Sequence, residues 1–105
     1  MAGIALSMGA LAVATTLAVG CAAAGAASST AVRVSGVADA AALAAADVAS
    51  GLASGIPCER AAELASRAGA HLETCEMADA VATVSVWSPF GPLRVRAQAR
   101  AGPAL

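Results

Sequence analysis

The chain has 105 residues, of which 59% are hydrophobic, 12% are charged and 2% are aromatic. This length allows one domain at most, and the high hydrophobic fraction excludes intrinsic disorder, which needs low hydrophobicity and high net charge. The six arginines and seven acidic residues give a net charge of −1, so we expect no nucleic-acid partner. Alanine supplies nearly a third of the residues, which argues against a large soluble core.

The first 31 residues form an uncharged, apolar block. The first charged side chain is Arg33, and residues 4–27 are apolar apart from Ser7, Thr15, Thr16 and three glycines. About 20 helical residues span a hydrocarbon core roughly 30 Å thick, and backbone groups in lipid must be satisfied within the segment. We therefore predict that residues 1–31 are a hydrophobic transmembrane or signal-anchor helix, with the lipid bilayer as its partner. Its small side chains would let other helices approach closely.

Three versions of this prediction compete. The segment is either an uncleaved anchor, a signal peptide cleaved at a small-residue site such as residues 24–26, or a lipidation signal. The last rests on residues 17–21 (LAVGC), which faintly resemble a bacterial lipobox ending in Cys21; otherwise Cys21 is a small apolar side chain in a helix. The positive residues that usually begin a signal peptide are missing, which suggests the hypothesis that Met1 is an internal start.

Residues 32–105 are predicted to form a small domain that begins with two helices. Apolar residues recur every three or four positions through residues 32–50, and no proline interrupts the chain before Pro57, so one long helix should leave the membrane and continue in water. The expected apolar stripe comprises Val34, Val37, Ala41, Ala45, Val48 and Leu52. Glycine-rich residues 51–57 break the helix. A second helix over residues 57–68 should then begin at Pro57, capped by Ser54 or Gly55, and end at Gly69.

Three strands are predicted at about residues 70–76, 80–87 and 93–101, with turns at residues 77–79 and 88–92. The second is rich in β-branched residues, and the third alternates strictly between apolar and polar side chains, as in a half-buried antiparallel strand. The expected fold is therefore α+β, with a long N-terminal helix, a short second helix and a three-stranded antiparallel sheet that the long helix covers.

Cys58 and Cys75 lie 17 positions apart, on either side of the second helix. If the domain lies outside the cytoplasm, we expect a disulfide, which in the loop-entropy model contributes about 3 kcal/mol. The alternative is two reduced cysteines in the core. The sequence has a single histidine and no CxxC motif, so we predict no metal site.

Two polar patterns are candidates for a catalytic site or a partner-contact site. On a regular strand His71, Glu73 and Cys75 would share a face, but this spacing is a weak basis for catalysis, and we predict no catalytic site, no cofactor and no enzyme activity. Arg94, Arg96 and Arg100 share the polar face of the third strand. We interpret them first as an exposed face that discourages edge pairing. The alternative is a contact face for an acidic partner or anionic head groups.

Residues 37–46 (VADAAALAAA) closely resemble the A-D-x-A-A-L-A-A-A segment of TadE/TadG-like pseudopilin proteins. Residues 58–65 (CERAAELA), 69–75 (GAHLETC), the valine-rich strand and residues 99–104 (ARAGPA) follow in the order found in small actinobacterial TadE-like proteins encoded beside helicase and secretion genes. The resemblance implies a pilin-like architecture and a non-catalytic, membrane-anchored role in a Tad-type pilus or secretion system at the bacterial cell envelope. It also implies pilin-like subunits as partners, reached through the alanine-rich helix.

One family feature is missing. Prepilin processing sites usually place a glutamate five residues into the mature segment after a glycine, whereas none follows Gly3 at that spacing. A secreted, disulfide-stapled binding or effector domain released by signal peptidase therefore stays as the alternative function. Arg33 directly after the apolar block favours a cytoplasmic domain by the positive-inside rule. The cysteine pair and the family resemblance favour a single-pass protein with an extracytoplasmic C-terminal domain, which is our expectation.

Overall fold

The computed structural model describes residues 2–103, and nearly half of the chain lies in one uninterrupted helix, α1 (Ala2–Ala49). The prediction of a single long helix is confirmed. Alanine is the best helix former, and no proline removes a backbone hydrogen bond within this stretch. The helix ends just before Gly51, which takes a φ of 80° that side-chain-bearing residues rarely adopt.

The second helix, α2, spans Pro57–Arg67. Proline occupies its first turn as predicted, but the N-cap is Ile56, with no side-chain cap hydrogen bond, so the expected cap at Ser54 or Gly55 is wrong. At the other end Gly69 has a φ of 79°. The Ala70 amide donates to the Ala65 carbonyl and the Gly69 amide to Ser66, which is the Schellman pattern of helix termination.

Three strands, β1 (His71–Ala78), β2 (Val81–Phe90) and β3 (Leu93–Ala101), form an antiparallel sheet in the order β1-β2-β3. The predicted layout is therefore present: β3 has its predicted bounds, while β1 and β2 are longer and both turns are shorter than expected. β2 continues through Pro89, which was expected in a turn. The register pairs His71 with Trp87 at the start of β1, while Pro89 pairs with Arg94 of β3. A missing N–H is tolerated there because β1 begins opposite Trp87 and does not reach this position.

Both hairpins close through two residues. Asp79 and Ala80 connect β1 to β2, and Gly91 and Pro92 connect β2 to β3. Asp79 has a φ of 56° and Gly91 a φ of 57°. In the second hairpin, Gly91 at positive φ is followed by Pro92, whose ring fixes φ near −65°. This combination meets the φ requirements of a type II′ turn. Such turns match the twist of the flanking strands, so they set the register of the sheet.

The core lies where the C-terminal part of α1 crosses the inner face of the sheet. Val34, Val37, Ala41 and Ala45 of the predicted stripe are buried and Val48 is half-buried, but Leu52 is exposed because the helix has already ended. A second row, one residue further round the helix, is buried beside it: Ala38, Ala42 and Ala46. These small side chains pack with Ala82, Val84 and Val86 of β2, Ala99 of β3, and Ala61 and Ala65 of α2.

The direction of each element defines two ends of the domain. Near the start of the packed part of α1, an Arg33 guanidinium nitrogen lies 3.1 Å from the Ser88 hydroxyl near the end of β2. Near the end of α1, Ala46 and Ser50 line one surface depression together with Gly102, which follows β3. β2 and α2 therefore run opposite to α1. We call the end that contains Arg33 and Ser88 the proximal end, and the end that contains Ser50 and Gly102 the distal end.

Candidate membrane anchor and outer sheet face

The N-terminal part of α1, residues 2–32, projects from the proximal end of the domain, and we call it the bare segment. Its large apolar side chains are exposed, among them Ile4, Leu6, Leu11, Leu17 and Val19. The most apolar 18-residue window has a mean hydropathy of 1.9, and none of it is buried. At 1.5 Å per residue the bare segment is about 45 Å long. By length and composition, α1 can cross a membrane.

Four of the six hydroxyl side chains of the bare segment bond back to the helix itself. Ser7, Thr15 and Thr16 each donate to the backbone carbonyl four residues earlier, at 2.9, 2.9 and 2.8 Å. Thr30 does the same at 3.1 Å. Hydroxyls bonded back to the backbone leave no unmet donor for a surrounding solvent to satisfy. These four side chains are therefore compatible with a hydrocarbon environment.

Small residues shape the surface of the bare segment. Ala5, Gly9, Ala10 and Ala14 leave a shallow apolar depression that is bordered by larger side chains such as Leu6 and Leu17. Cys21 lies further along the same segment, where it is an exposed free thiol. These side chains are the surface that a neighbouring helix or lipid chains would meet.

Arg33 ties the long helix to the rest of the fold. One guanidinium nitrogen donates to the Ala68 carbonyl at 3.2 Å, and the other donates to the Ser88 hydroxyl at 3.1 Å. Ser88 is only 2% exposed, and its hydroxyl donates in turn to the Gly69 carbonyl at 3.4 Å. Because Ala68 and Gly69 follow the last turn of α2, the arginine also meets the negative end of that helix. This network was not predictable from local sequence patterns.

Cys58 and Cys75 form the predicted disulfide, with their Cα atoms 5.8 Å apart. This distance is typical of protein disulfides. Cys58 lies in the first turn of α2, and Cys75 lies in the middle of β1. The bridge therefore joins the short helix to an edge strand of the sheet.

A bulge in β1 decides which way Cys75 points. The register shifts between Leu72, paired with Val86, and Thr74, paired with Ser85, so Glu73 is an additional residue in the strand. The expectation that His71, Glu73 and Cys75 share a face is therefore wrong. His71 and Glu73 are exposed, whereas Cys75 packs against the core. Since its sulfur is also held in the disulfide, Cys75 offers no thiol nucleophile to His71.

The outer face of the sheet carries an aromatic and charged cluster. The rings of His71 and Trp87 stack with centroids 4.5 Å apart, and the Arg94 guanidinium carbon lies 4.3 Å from the Trp87 ring centroid. Since β1 and β3 flank β2, Trp87 is held between a histidine on one side and an arginine on the other. Such contacts contribute about 0.5–1 kcal/mol each at exposed sites.

The predicted arginine row lies on this outer face. Arg96 forms an ion pair of 3.2 Å with Glu73 of β1, and Glu73 accepts a 3.4 Å hydrogen bond from the Ser85 hydroxyl. Arg100 is exposed and pairs in register with Thr83. Two of the three arginines thus stabilise contacts across the sheet. The role of Trp87 in this cluster was not predicted, although the strand patterns already placed an aromatic residue opposite two arginines.

Within residues 2–103, no group of three or more His, Cys, Asp or Glu side chains is placed to hold a metal ion. No protein-family model, curated protein or solved structure matched the chain. The candidate surfaces are the exposed apolar side chains of the bare segment and the aromatic and charged cluster on the outer sheet face.

Proposed function

We propose that this protein is a membrane-anchored, non-catalytic, pilin-like subunit of a Tad-type pilus or secretion assembly at the bacterial cell envelope. The observation that carries the proposal is the division of α1. One continuous helix is bare and uncharged over its first part and covers a small antiparallel sheet with the rest. A helix of this form can anchor a subunit in the bilayer and carry its domain without a flexible linker. The type of assembly and the partners are inferred from the resemblance to TadE-like proteins.

The domain is proposed to lie outside the cytoplasm. The Cys58–Cys75 disulfide supports this side of the membrane, because such bonds persist in oxidising compartments. Arg33 is a weak argument for the opposite orientation, since its guanidinium group already bonds to Ala68 and Ser88 within the fold. In this orientation the disulfide contributes about 3 kcal/mol to a small domain whose core is mostly alanine and valine.

The bare segment would also supply the contact with other subunits. Its alanines and glycines let a second helix approach closely, which is the principal source of packing energy between helices in lipid. In the domain half of α1 the buried alanines already pack within the domain's own core. Contacts with pilin-like partners are therefore expected along residues 2–26.

Membrane fractionation with the full chain tests the anchor. The protein should stay in the pellet after alkaline carbonate extraction, and Cys21 should resist a membrane-impermeant maleimide until detergent is added. Photo-crosslinking from position 10 or 14 should then capture a second copy or a Tad-type subunit identified by mass spectrometry. Carbonate-soluble protein with a freely labelled Cys21 contradicts the anchor. Exclusive crosslinking to lipid contradicts the role in an assembly.

The alternative, a secreted domain released by signal peptidase, has one structural argument in its favour. Within residues 2–33, burial begins only at Ala27 and Thr30, which are half-buried. Cleavage near residues 24–26 would thus leave every core contact intact. The N-terminal sequence of the mature protein distinguishes the two functions. A start near residue 27, together with protein in the medium, favours the secreted domain, whereas an intact N-terminus in the membrane fraction favours the anchored subunit.

A further inference from the structure

The proximal end of the domain carries an apolar hairpin beside the exit of the bare segment. Trp87 and Phe90, the two aromatic residues of the chain, lie near the end of β2, and Leu93, 65% exposed, begins β3. Phe90 and Leu93 pair with each other across the two-residue turn. We call residues 90–93 the hairpin tip. Phe90 lies two residues beyond Ser88, so the tip extends about 7 Å past the level of Arg33 toward the bare segment.

Charge is distributed unevenly between the two ends of the domain. Arg33, Arg67, Arg94 and Arg96 lie at or near the proximal end, as the register and the contacts of Ala68 and Ser88 show. Two acidic residues lie with them, since Glu63 pairs with Arg67 and Glu73 with Arg96. The other acidic residues lie mainly further away, where they outnumber Arg60 and Arg100. Asp47 ends α1, Asp79 occupies the distal hairpin, and Glu59 begins α2. The domain therefore presents a basic end to whatever surrounds the exit of α1 and an acidic end to the opposite side.

The length of the bare segment places the hairpin tip relative to a bilayer. A segment of about 45 Å exceeds a hydrocarbon core of about 30 Å, so roughly ten residues of uncharged helix extend into the head-group layers. Half-burial of Ala27 and Thr30 shows that the folded domain reaches down the helix to that level. Aromatic side chains and long basic side chains are typical of this interfacial layer.

From these observations we propose that the proximal end of the domain docks onto the bilayer that α1 crosses, with the hairpin tip inserted at head-group level and arginines against anionic lipid. The inference rests on the proposed anchor, because it requires α1 to be in the membrane. It adds a second contact with the same bilayer. The occupant is an anionic lipid surface, since the exposed tip is apolar and the side chains around it are mainly basic.

Depth-dependent fluorescence quenching tests the contact in the full chain. Trp87 is the only tryptophan, so Trp87→Phe removes the native fluorescence while keeping a ring for the His71 and Arg94 contacts. In that background Leu93→Trp puts the reporter at the tip, and Leu52→Trp puts it at the distal end as the matched control. Leu52 is 79% exposed, comparable with Leu93. Retention of the Cys58–Cys75 disulfide and of the circular dichroism spectrum verifies folding.

The vesicles are phosphatidylcholine and phosphatidylglycerol in a 3:1 ratio, with a nitroxide on the lipid head group or high on the acyl chain. We expect at least twofold stronger quenching of the reporter at position 93 than of the reporter at position 52. Equal and weak quenching at both positions overturns the docking proposal.

The same vesicles test whether arginines at the proximal end contact anionic lipid. Arg60 and Arg67 both pair with Glu63 on α2, but Arg67 lies at its proximal end and Arg60 in its first turns. One basic residue near an anionic surface changes the docked-to-undocked ratio by roughly fivefold. Arg67→Gln should therefore reduce quenching at position 93, while Arg60→Gln should not, and the difference should vanish in pure phosphatidylcholine. Identical effects of the two substitutions contradict the anionic-lipid contact.

A third label separates failure of docking from failure of the anchor. Cys21 is the one free cysteine among the three in the chain, so a bimane attached there reports the depth of the bare segment. A deep bimane with an unquenched tip reporter overturns docking and leaves the anchor in place. A bimane accessible to aqueous quenchers overturns the anchor itself.

Discussion

The two parts of α1 have nearly the same alanine-rich composition and opposite surroundings. In the bare segment leucine, isoleucine, methionine and valine side chains are exposed, while in residues 34–46 the buried side chains are two valines and five alanines. Large apolar residues thus lie outside and small ones lie inside. In a soluble domain the order is usually reversed, because burial of large apolar side chains contributes most to stability. This difference is what the proposed anchor requires of one helix that contacts two solvents.

Small residues serve different purposes in the packed part and in the bare segment. Alanines at Ala38, Ala41, Ala42 and Ala45 let the helix backbone approach the sheet closely, so the core is thin. In the bare segment the same residue type leaves room for a neighbouring helix instead. Alanine content alone therefore does not distinguish the two roles. The position of charge does, since Arg33, Asp39 and Asp47 occur only in the packed part.

The largest expected effect comes from placing a charge on each part. Leu11 and Leu43 are both exposed, at 68% and 55%. An arginine near the centre of a membrane helix costs about 3 kcal/mol of insertion free energy, so Leu11→Arg should lower the inserted fraction on the order of 100-fold. Leu43→Arg should have almost no effect. Carbonate extraction of both variants measures the difference, and equal behaviour would show that the two parts meet the same solvent.

Removing the disulfide should affect the packed part alone. Cys58→Ser/Cys75→Ser should lower the free energy of unfolding of the domain by about 3 kcal/mol and leave membrane insertion unchanged. Urea titration in detergent micelles, followed by Trp87 fluorescence, gives the loss. Cys21→Ser is the control and should have no effect on the midpoint. A double variant as stable as the parent protein would mean that the bridge constrains little.

Enlarging one alanine distinguishes the close contact from the open surface. Ala41 is fully buried against the sheet, whereas its neighbour Ala40 is exposed. Ala41→Leu should cost about 2 kcal/mol through overpacking, and Ala40→Leu should change stability little. Ala14→Leu in the bare segment should leave the domain unaffected. Thermal unfolding of the three variants compares them directly, and a tolerant position 41 would contradict a tightly packed helix–sheet contact.

The smallest effect concerns the junction of the two parts. Arg33→Met keeps an apolar stem of similar length but removes both hydrogen bonds to Ala68 and Ser88. Hydrogen bonds to a charged donor are worth about 1.5 kcal/mol or more, so a loss of that size is expected. Arg33→Met/Ser88→Ala should recover part of it, because the buried hydroxyl is then gone. Additive losses in a double-mutant cycle would show that the two residues do not interact.

Much of this architecture was predictable from local patterns. Helical periodicity, the glycine and proline break, and strict alternation in β3 each depend on neighbouring residues, which is why the element order and the disulfide partners were recovered. The arginine row also lies on the exposed face as expected. The pilin-like fold and the Tad-type partners stay predictions, since they rest on resemblance.

Features that depend on distant contacts were not predictable. The bulge at Glu73 reverses which residues of β1 face the core, and no local pattern distinguishes it from a regular strand. Pro89 looked like a turn residue because its tolerance in β2 depends on where β1 begins. Arg33 looked like a topological signal, whereas its partners lie 35 and 55 residues away along the chain.

The continuity of α1 has a mechanical consequence. No proline or break in the helix separates the bare segment from the packed part, so a tilt of one part would move the other with it. Tilting a membrane helix by about 20° would swing Ala49 sideways by about 8 Å relative to Arg33. Changes of bilayer thickness or of helix packing would thus be transmitted to the distal end of the domain as displacement, without any rearrangement inside it.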